Sequence, residues 1–221
     1  MRKIKLKIIN FIKFFIKFYL LRDEFTIAIS KWKKDRGESL RYNYSLTKDS
    51  IVFDLGGYRG DFAYEINKRY NSIVYVFEPN KKYYDHLLKR FYNNPKIRLF
   101  NYAISDKDGV AFLSQEEDAS SIFKNKMPGT KINVQEFKSQ FNIFGLNKID
   151  LCKINVEGAE YPILLHLLEF DLIKKIKYLQ IQFHNFYPNA VNLRKIIREE
   201  LSKTHVEQYN YPFIWESWSL K

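Results

Sequence analysis

The stretch IVFDLGGYRGD, residues 51–61, most restricts what this chain can fold into. A mostly apolar strand runs into a bend that holds three glycines among bulky neighbours, and a helical pattern follows. A buried strand that turns sharply into a helix belongs to a parallel sheet with helices on its faces. The rest of the chain repeats that grammar. Strands are expected at 51–55, 73–77, 97–103, 149–154 and 178–183, with helices at 61–70, 80–91, 158–169 and 193–202. SDKDG turns into a short extra strand over 110–114, and 115–130 reads as a loop. The ending THVEQYNYPFIWESWSL gives two strands around NYP with no helix between them. The alternation predicts a doubly wound α/β sheet, mostly parallel, with an antiparallel neighbour at one edge.

In such a sheet, ligands bind beyond the carboxyl ends of the strands, beside the first strand. The glycine bend falls there. No Gly-Lys-Ser/Thr follows it, which excludes a P-loop. A dinucleotide fingerprint needs glycine at the first, third and sixth of six places. Counted from Gly56 the third place is Tyr58, and counted from Leu55 the first is missing. The middle glycine serves a pyrophosphate, so a ligand without one relaxes the demand. S-adenosylmethionine (SAM) is such a ligand, an adenosine joined through a sulfonium to an amino acid. The bend between Gly56 and Gly60 is then expected to clear space for the methionine part. Asp54 would set a carboxylate near a cationic ligand.

Glu78 ends the second strand in VYVFEPN, where an acid can accept hydrogen bonds from ribose hydroxyls. The same acid serves NAD- and SAM-binding sheets, so it supports an adenosine ligand and no more. A plain cap for the helix beginning near Asn80 is the structural alternative.

At KINVEGAEYPIL, residues 153–164, an ordered set of motifs is complete. The FkbM family of SAM-dependent methyltransferases carries an acid-x-Gly-Ala-Asn-x-Gly bend and then a Phe-Glu-Pro segment. An Ala-(Ile/Leu)-x-Asp turn and a Lys-Ile-Asp-Val-Glu-Gly-Ala-Glu signature follow. Here DLGGYRG, FEPN, AISDKDG and KINVEGAE stand in that order, and from about residue 50 onward the chain resembles that family. The resemblance implies a class I methyltransferase fold, a Rossmann-like sheet of seven strands whose last pair forms the antiparallel C-terminal hairpin. It implies SAM as cofactor, contacted by Asp54, Gly56, Gly60 and Glu78, with Asn101 and Asp106 toward the adenine. It also implies O-methylation of a hydroxyl, often on a sugar or a secondary metabolite.

Two positions depart from the family pattern. The signature aspartate is Asn155, and the glutamate before the histidine of LQIQFH is Gln182. Both exchange an acid for an isosteric amide, which keeps hydrogen-bonding shape and loses charge. Asn155 ends the fourth strand, where it can orient a hydroxyl but cannot take its proton. Methyl transfer from a sulfonium needs positioning more than activation, yet an alcohol must also shed its proton. His184, at the end of the fifth strand, is the expected base, its ordinary pKa near 6.5 suiting the task. Substrate positioning and pocket shaping are the alternatives for it. Glu157 can cap the following helix at its positive end or join Gln182 in contacting substrate. Glu160 and Tyr161 are expected to point outward or to pack, and Ser120 and Ser121 fall in a loop that could form a lid. No metal is expected, because amides stand where clustered carboxylates would be needed. One cysteine and four dispersed histidines also lack zinc spacing.

The chain opens on MRKIKLKIINFIKFFIKFYLL. Lys3, Lys7, Asn10, Lys13 and Lys17 share one face of a helix over 4–21. Lys13 and Lys17 would lie deep in hydrocarbon, which argues against a membrane span. Lysines inside the apolar run and the lack of a small-residue cleavage site argue against a signal peptide. Such a helix lies in the headgroup layer of an anionic membrane, or it packs on protein. The organisation expected is a basic amphipathic helix over 1–22, a connecting segment over 23–49 that breaks at KWKKDRGES, and a methyltransferase domain over 50–221. The net charge of +12 falls on Lys amid many Ile, Asn, Phe and Tyr, a composition that an AT-rich genome writes whatever the function. With no recognisable nucleic-acid module, no nucleic-acid partner is expected. Cys152, the lone cysteine, sits in IDLCKI as a buried, inert thiol, and a single cysteine favours a reducing compartment.

The sequence therefore reads as a SAM-dependent O-methyltransferase acting on a glycan or glycolipid hydroxyl. It would be cytoplasmic, peripheral at the inner face of the membrane if the N-terminal helix binds lipid. One rival is a catalytically silent SAM- or nucleoside-binding scaffold, which the two amides would suit. Another is an NAD-dependent enzyme, disfavoured by the broken glycine pattern and the hairpin finish. Acceptor identity and oligomeric state stay open.

Overall fold

The computed structural model describes Lys13, residues 16–113 and residues 129–221. Most of the expected basic helix, and Ser120 and Ser121, lie outside the described residues. The chain runs through α1 (Glu24–Lys34), α2 (Gly37–Leu40), β1 (Ile51–Leu55), α3 (Asp61–Tyr70), β2 (Ile73–Phe77) and α4 (Lys81–Arg90). It continues through β3 (Ile97–Phe100), β4 (Ala103–Ser105), β5 (Gly109–Leu113), β6 (Thr130–Glu136), α5 (Phe137–Ile143) and β7 (Ile149–Ile154). It ends with α6 (Glu160–Glu169), β8 (Ile176–Ile181), α7 (Ala190–Thr204), β9 (His205–Tyr211) and β10 (Trp215–Leu220).

Seven strands form one sheet in the order β3-β2-β1-β7-β8-β10-β9. The first five pair in parallel, and β10 is inserted antiparallel to both β8 and β9. The expected hairpin is therefore present, with its second strand inside the sheet and its first at the edge. Central strands are covered on both faces, which is why they read as nearly continuous apolar runs. On one face Phe53, Phe77 and Ile154 pack with Phe137, Ile163 and Leu167 from α5 and α6. On the other, Val52, Val76 and Leu151 pack with Phe62 and Ile66 of α3 and Leu87 of α4. Cys152 is fully buried in β7, and burial pushes its thiol pKa up, which makes it unreactive.

Three regions differ from the sequence expectation. The strand expected over 97–103 is two strands: the chain bends at Asn101 and Tyr102, and β4 joins β6 and β5 in a separate three-stranded sheet. β6 begins at Thr130, the last residue of the expected loop, and with α5 it fills a stretch whose sequence pattern predicts no element. The segment 23–49 carries α1 and α2, with Asp23 capping α1 through Thr26 N–H at 2.8 Å. Trp32 of α1 packs edge-on against Tyr211 of the hairpin, ring centroids 5.0 Å apart. The break at KWKKDRGES is real. Arg36 takes φ +52°, and a Cβ on Gly37 would meet the Trp32 ring at 2.0 Å. Among the described residues no helix is long and apolar enough to cross a membrane.

Candidate active site

The bend after β1 closes on itself. Gly56 and Gly57 both donate N–H to the Phe77 carbonyl, at 3.0 and 3.2 Å, and Gly60 donates to the Gly57 carbonyl at 2.8 Å. Tyr58 donates its N–H to Glu78 Oε2 at 2.7 Å. A phosphate-binding turn must leave such groups free for its anion, and here these four are spent. The glycines are dictated by the protein's own packing. A Cβ on Gly56, at φ +83°, would lie 2.0 Å from the Asn155 carbonyl oxygen, and one on Gly60 would lie 2.6 Å from Leu87. They let the end of β1 approach β7 and α4.

Asp54 is also engaged inside. It is fully buried, with Lys153 Nζ 2.8 Å from Oδ1. Lys153 donates as well to the carbonyls of Gly56 at 2.7 Å and Leu55 at 3.3 Å, so one lysine fastens the bend and neutralises the acid. Asp54 thus has a cationic partner within the protein, a side chain of β7. Sequence reasoning overlooked Lys153, although a lysine within IDLCKI is a signal, since a buried lysine is nearly always paired.

Beyond the carboxyl ends of β1, β2 and β7 lies a cavity of about 350 Å³, within the range of small-molecule sites. Gly56 and Tyr58 of the bend, and Glu78, Asn80 and Tyr83 around the end of β2, form one side. Asn155, Val156 and Glu157 form another, and Ala103, Ile104, Leu113 and Ile132 of the small sheet form an apolar wall. Glu78 is almost wholly buried, and burial raises its pKa against the N–H donors Asn80, at 2.8 Å, and Tyr58. Each oxygen keeps a further lone pair for a hydroxyl. Asn155 Oδ1 is shielded from solvent and has no hydrogen-bond partner, an acceptor awaiting a donor.

Of the residues expected from the sequence, Gly56, Glu78, Asn155 and Glu157 line this cavity. Gly60, Asp54, Gln182 and His184 do not line it. Asn101 supports it from outside, donating to the carbonyls of Glu78 at 2.9 Å and Pro79 at 3.2 Å. Asp106 accepts from Ser105 Oγ at 2.9 Å in the turn after β4. Gln182 extends the pairing of β8 with β7 through its N–H to the Ile154 carbonyl at 3.0 Å. Tyr58, Tyr83 and the wall from β5 and β6 were not foreseen.

His184 stands between two carboxylates, its Nε2 3.4 Å from Glu157 Oε1 and its Nδ1 3.0 Å from Glu160 Oε1. Burial alone would lower its pKa, but hydrogen bonds and charge from Glu157 and Glu160 prevail and raise it to about 9. Glu160 and Tyr161 both pack inward, fully buried. The Tyr161 hydroxyl donates to the His184 carbonyl at 2.9 Å.

A sheet in this order, with the last strand inserted antiparallel and an acid ending β2 beside a cavity, is that of a class I SAM-dependent methyltransferase. The family model of the methyltransferase FkbM domain matches residues 54–213. The chain belongs to that family, and SAM is its cofactor. No curated protein matches the chain. Among solved structures it is similar to a chain of a fibrillarin/Nop5p complex, with 14% identity over 90% of this chain and 82% of that one, at a TM-score of 0.52. It is also similar to a "putative rRNA-methylase" from Clostridium thermocellum, with 8% identity over 84% and 94% of the two chains, at a TM-score of 0.53. At such identities the likeness is one of fold.

Proposed function

We propose that the protein transfers the methyl group of SAM to a hydroxyl of a glycan or glycolipid at the cytoplasmic face of a membrane. One observation carries this reading: Glu78 and the pair Asn155 and Glu157 line a single cavity. The acid suited to ribose and the end of β7 therefore open on the same space. Bound SAM supplies a methyl carbon activated by its sulfonium. Glu78 would hold the ribose hydroxyls through the lone pairs its two N–H donors leave, and Tyr58 and Tyr83, which line the same cavity, would flank the adenine. Asn155 orients the acceptor hydroxyl and, being an amide, leaves its proton to another group. Glu157 and Glu160 raise the His184 pKa to about 9, which favours a protonated imidazole at neutral pH and so a positioning role over that of base. His184 stands behind Glu157, which lines the cavity.

Support for a sugar comes from Phe186, exposed with its ring centroid 5.2 Å from that of His184. Such a flat apolar face suits a pyranose. Support for a membrane comes from the basic, aromatic-rich N-terminal sequence. The test is incubation with methyl-labelled SAM and separated cell glycans, glycolipids and total RNA. Alkali-stable label in glycan or glycolipid is expected. Label in RNA alone would overturn the acceptor. SAM binding with no transfer to any fraction would replace the reading with the silent scaffold.

A further inference from the structure

The segment that follows β7 adopts an unusual conformation at an informative place. Glu157 takes φ +53°, a left-handed conformation that costs free energy in a residue with a side chain. Strain of this kind persists where surrounding structure holds it, and here the residue lines the cavity with His184 against it. Behind the imidazole, Glu160 has no exposed surface. Its Oε1 accepts the His184 N–H at 2.8 Å and lies 3.0 Å from Nδ1, while Oε2 accepts the Gly158 N–H at 2.8 Å. One buried carboxylate therefore ties the start of α6 to the end of β8. It also holds the far nitrogen of the ring, which leaves Nε2 directed at Glu157.

We propose that Glu157 takes the proton of the acceptor hydroxyl, and that Glu160 is the positioning residue that holds Glu157 in place through His184. The proposal rests on the hydroxyl reading above. The acceptor oxygen bonds to the methyl carbon as the carbon–sulfur bond breaks and its electron pair stays on sulfur. The hydroxyl proton passes to a Glu157 oxygen and from there to water. A carboxylate is a weak base toward a free alcohol, but the oxygen becomes strongly acidic as its new bond forms, so a weak base suffices. The charged groups facing the imidazole are Glu157 from the β7 end and Glu160 from α6. Tyr161 meets its carbonyl, and Phe186 lies beside the ring. The two carboxylates favour the protonated imidazole, which leaves the acceptor proton to Glu157.

The experiment uses the full chain, with histidine ¹⁵N titration of the cofactor-free protein, calorimetry with SAM, and kcat and KM for the acceptor. Glu157→Gln should lower kcat about a hundredfold or more, with SAM affinity within about threefold of wild type. Glu160→Gln should move the His184 midpoint down by more than about one pH unit and lower kcat about tenfold, with acceptor KM little changed and Glu160→Asp recovering part of the loss. A Glu157→Gln enzyme within about threefold of wild-type kcat would overturn the proposal, as would a His184 midpoint unmoved by Glu160→Gln. Should Glu160→Gln not fold, His184→Gln takes its place, with a loss of about tenfold in kcat expected and no loss overturning the positioning role. If wild type methylates no hydroxyl while His184 still titrates near pH 9, the hydroxyl reading fails and Glu157's proton role with it. The hold of Glu160 on His184 would then stand on the titration alone.

Discussion

Lys153 fastens the bend from within the protein: its ammonium meets Asp54 and two carbonyls at the end of β1 within 3.3 Å. Replacing it with Met strands a carboxylate with no exposed surface, a change that costs about 3–5 kcal/mol. Urea denaturation should show that loss, and Asp54→Asn in the same chain should recover much of it. A loss under about 1 kcal/mol would contradict the pairing. His184 gives a pH signature. Its folded pKa of about 9 lies above the ordinary 6.5, so its contribution to stability is fully present below about pH 6.5 and fades as pH rises through 9. The stability advantage of wild type over His184→Gln should therefore shrink between those limits, and a constant difference would contradict the two-carboxylate cluster. Glu78 and Asn155 were legible because strand ends in a parallel sheet face the ligand side. The state of His184 was not, since Glu157 and Glu160 reach it only once β7 and β8 lie side by side.

At the level of elements, the parallel strands were legible because both of their faces are buried, and apolar runs of that kind have few other uses. The small sheet was harder to see. In β6 the inward residues are Ile132 and Val134, a period of two too short to stand out, and its partners β4 and β5 come from either side of a turn. Its consequence is functional, since Ile104, Leu113 and Ile132 wall the cavity. The role of α1 was also hidden, because its partners are at the other end of the chain. Trp32→Ala removes a buried ring from between Gly37 and the hairpin and should cost about 3–5 kcal/mol. Thermal unfolding should shift down while SAM affinity holds within about threefold of wild type, because no residue of that cluster lines the cavity. A parallel loss of SAM binding would mean that the hairpin helps to shape the site.

Over the whole molecule, charge is unevenly spread. Residues 1–22 hold seven cations and no acid, so more than half of the net charge of +12 precedes Asp23. A variant lacking residues 1–21 should lose sedimentation with anionic liposomes, and the full chain should lose it as salt rises. Equal sedimentation of the two would contradict the membrane assignment. The central claim is that the cavity beyond β1, β2 and β7 holds SAM through Glu78. Calorimetric titration of wild type and Glu78→Ala with SAM, S-adenosylhomocysteine and NAD tests it most directly. Binding of SAM and its demethylated product to wild type, no binding of NAD, and loss of both ligands in Glu78→Ala are the predicted results. Equal SAM binding by the variant, or binding of NAD alone, would contradict the claim.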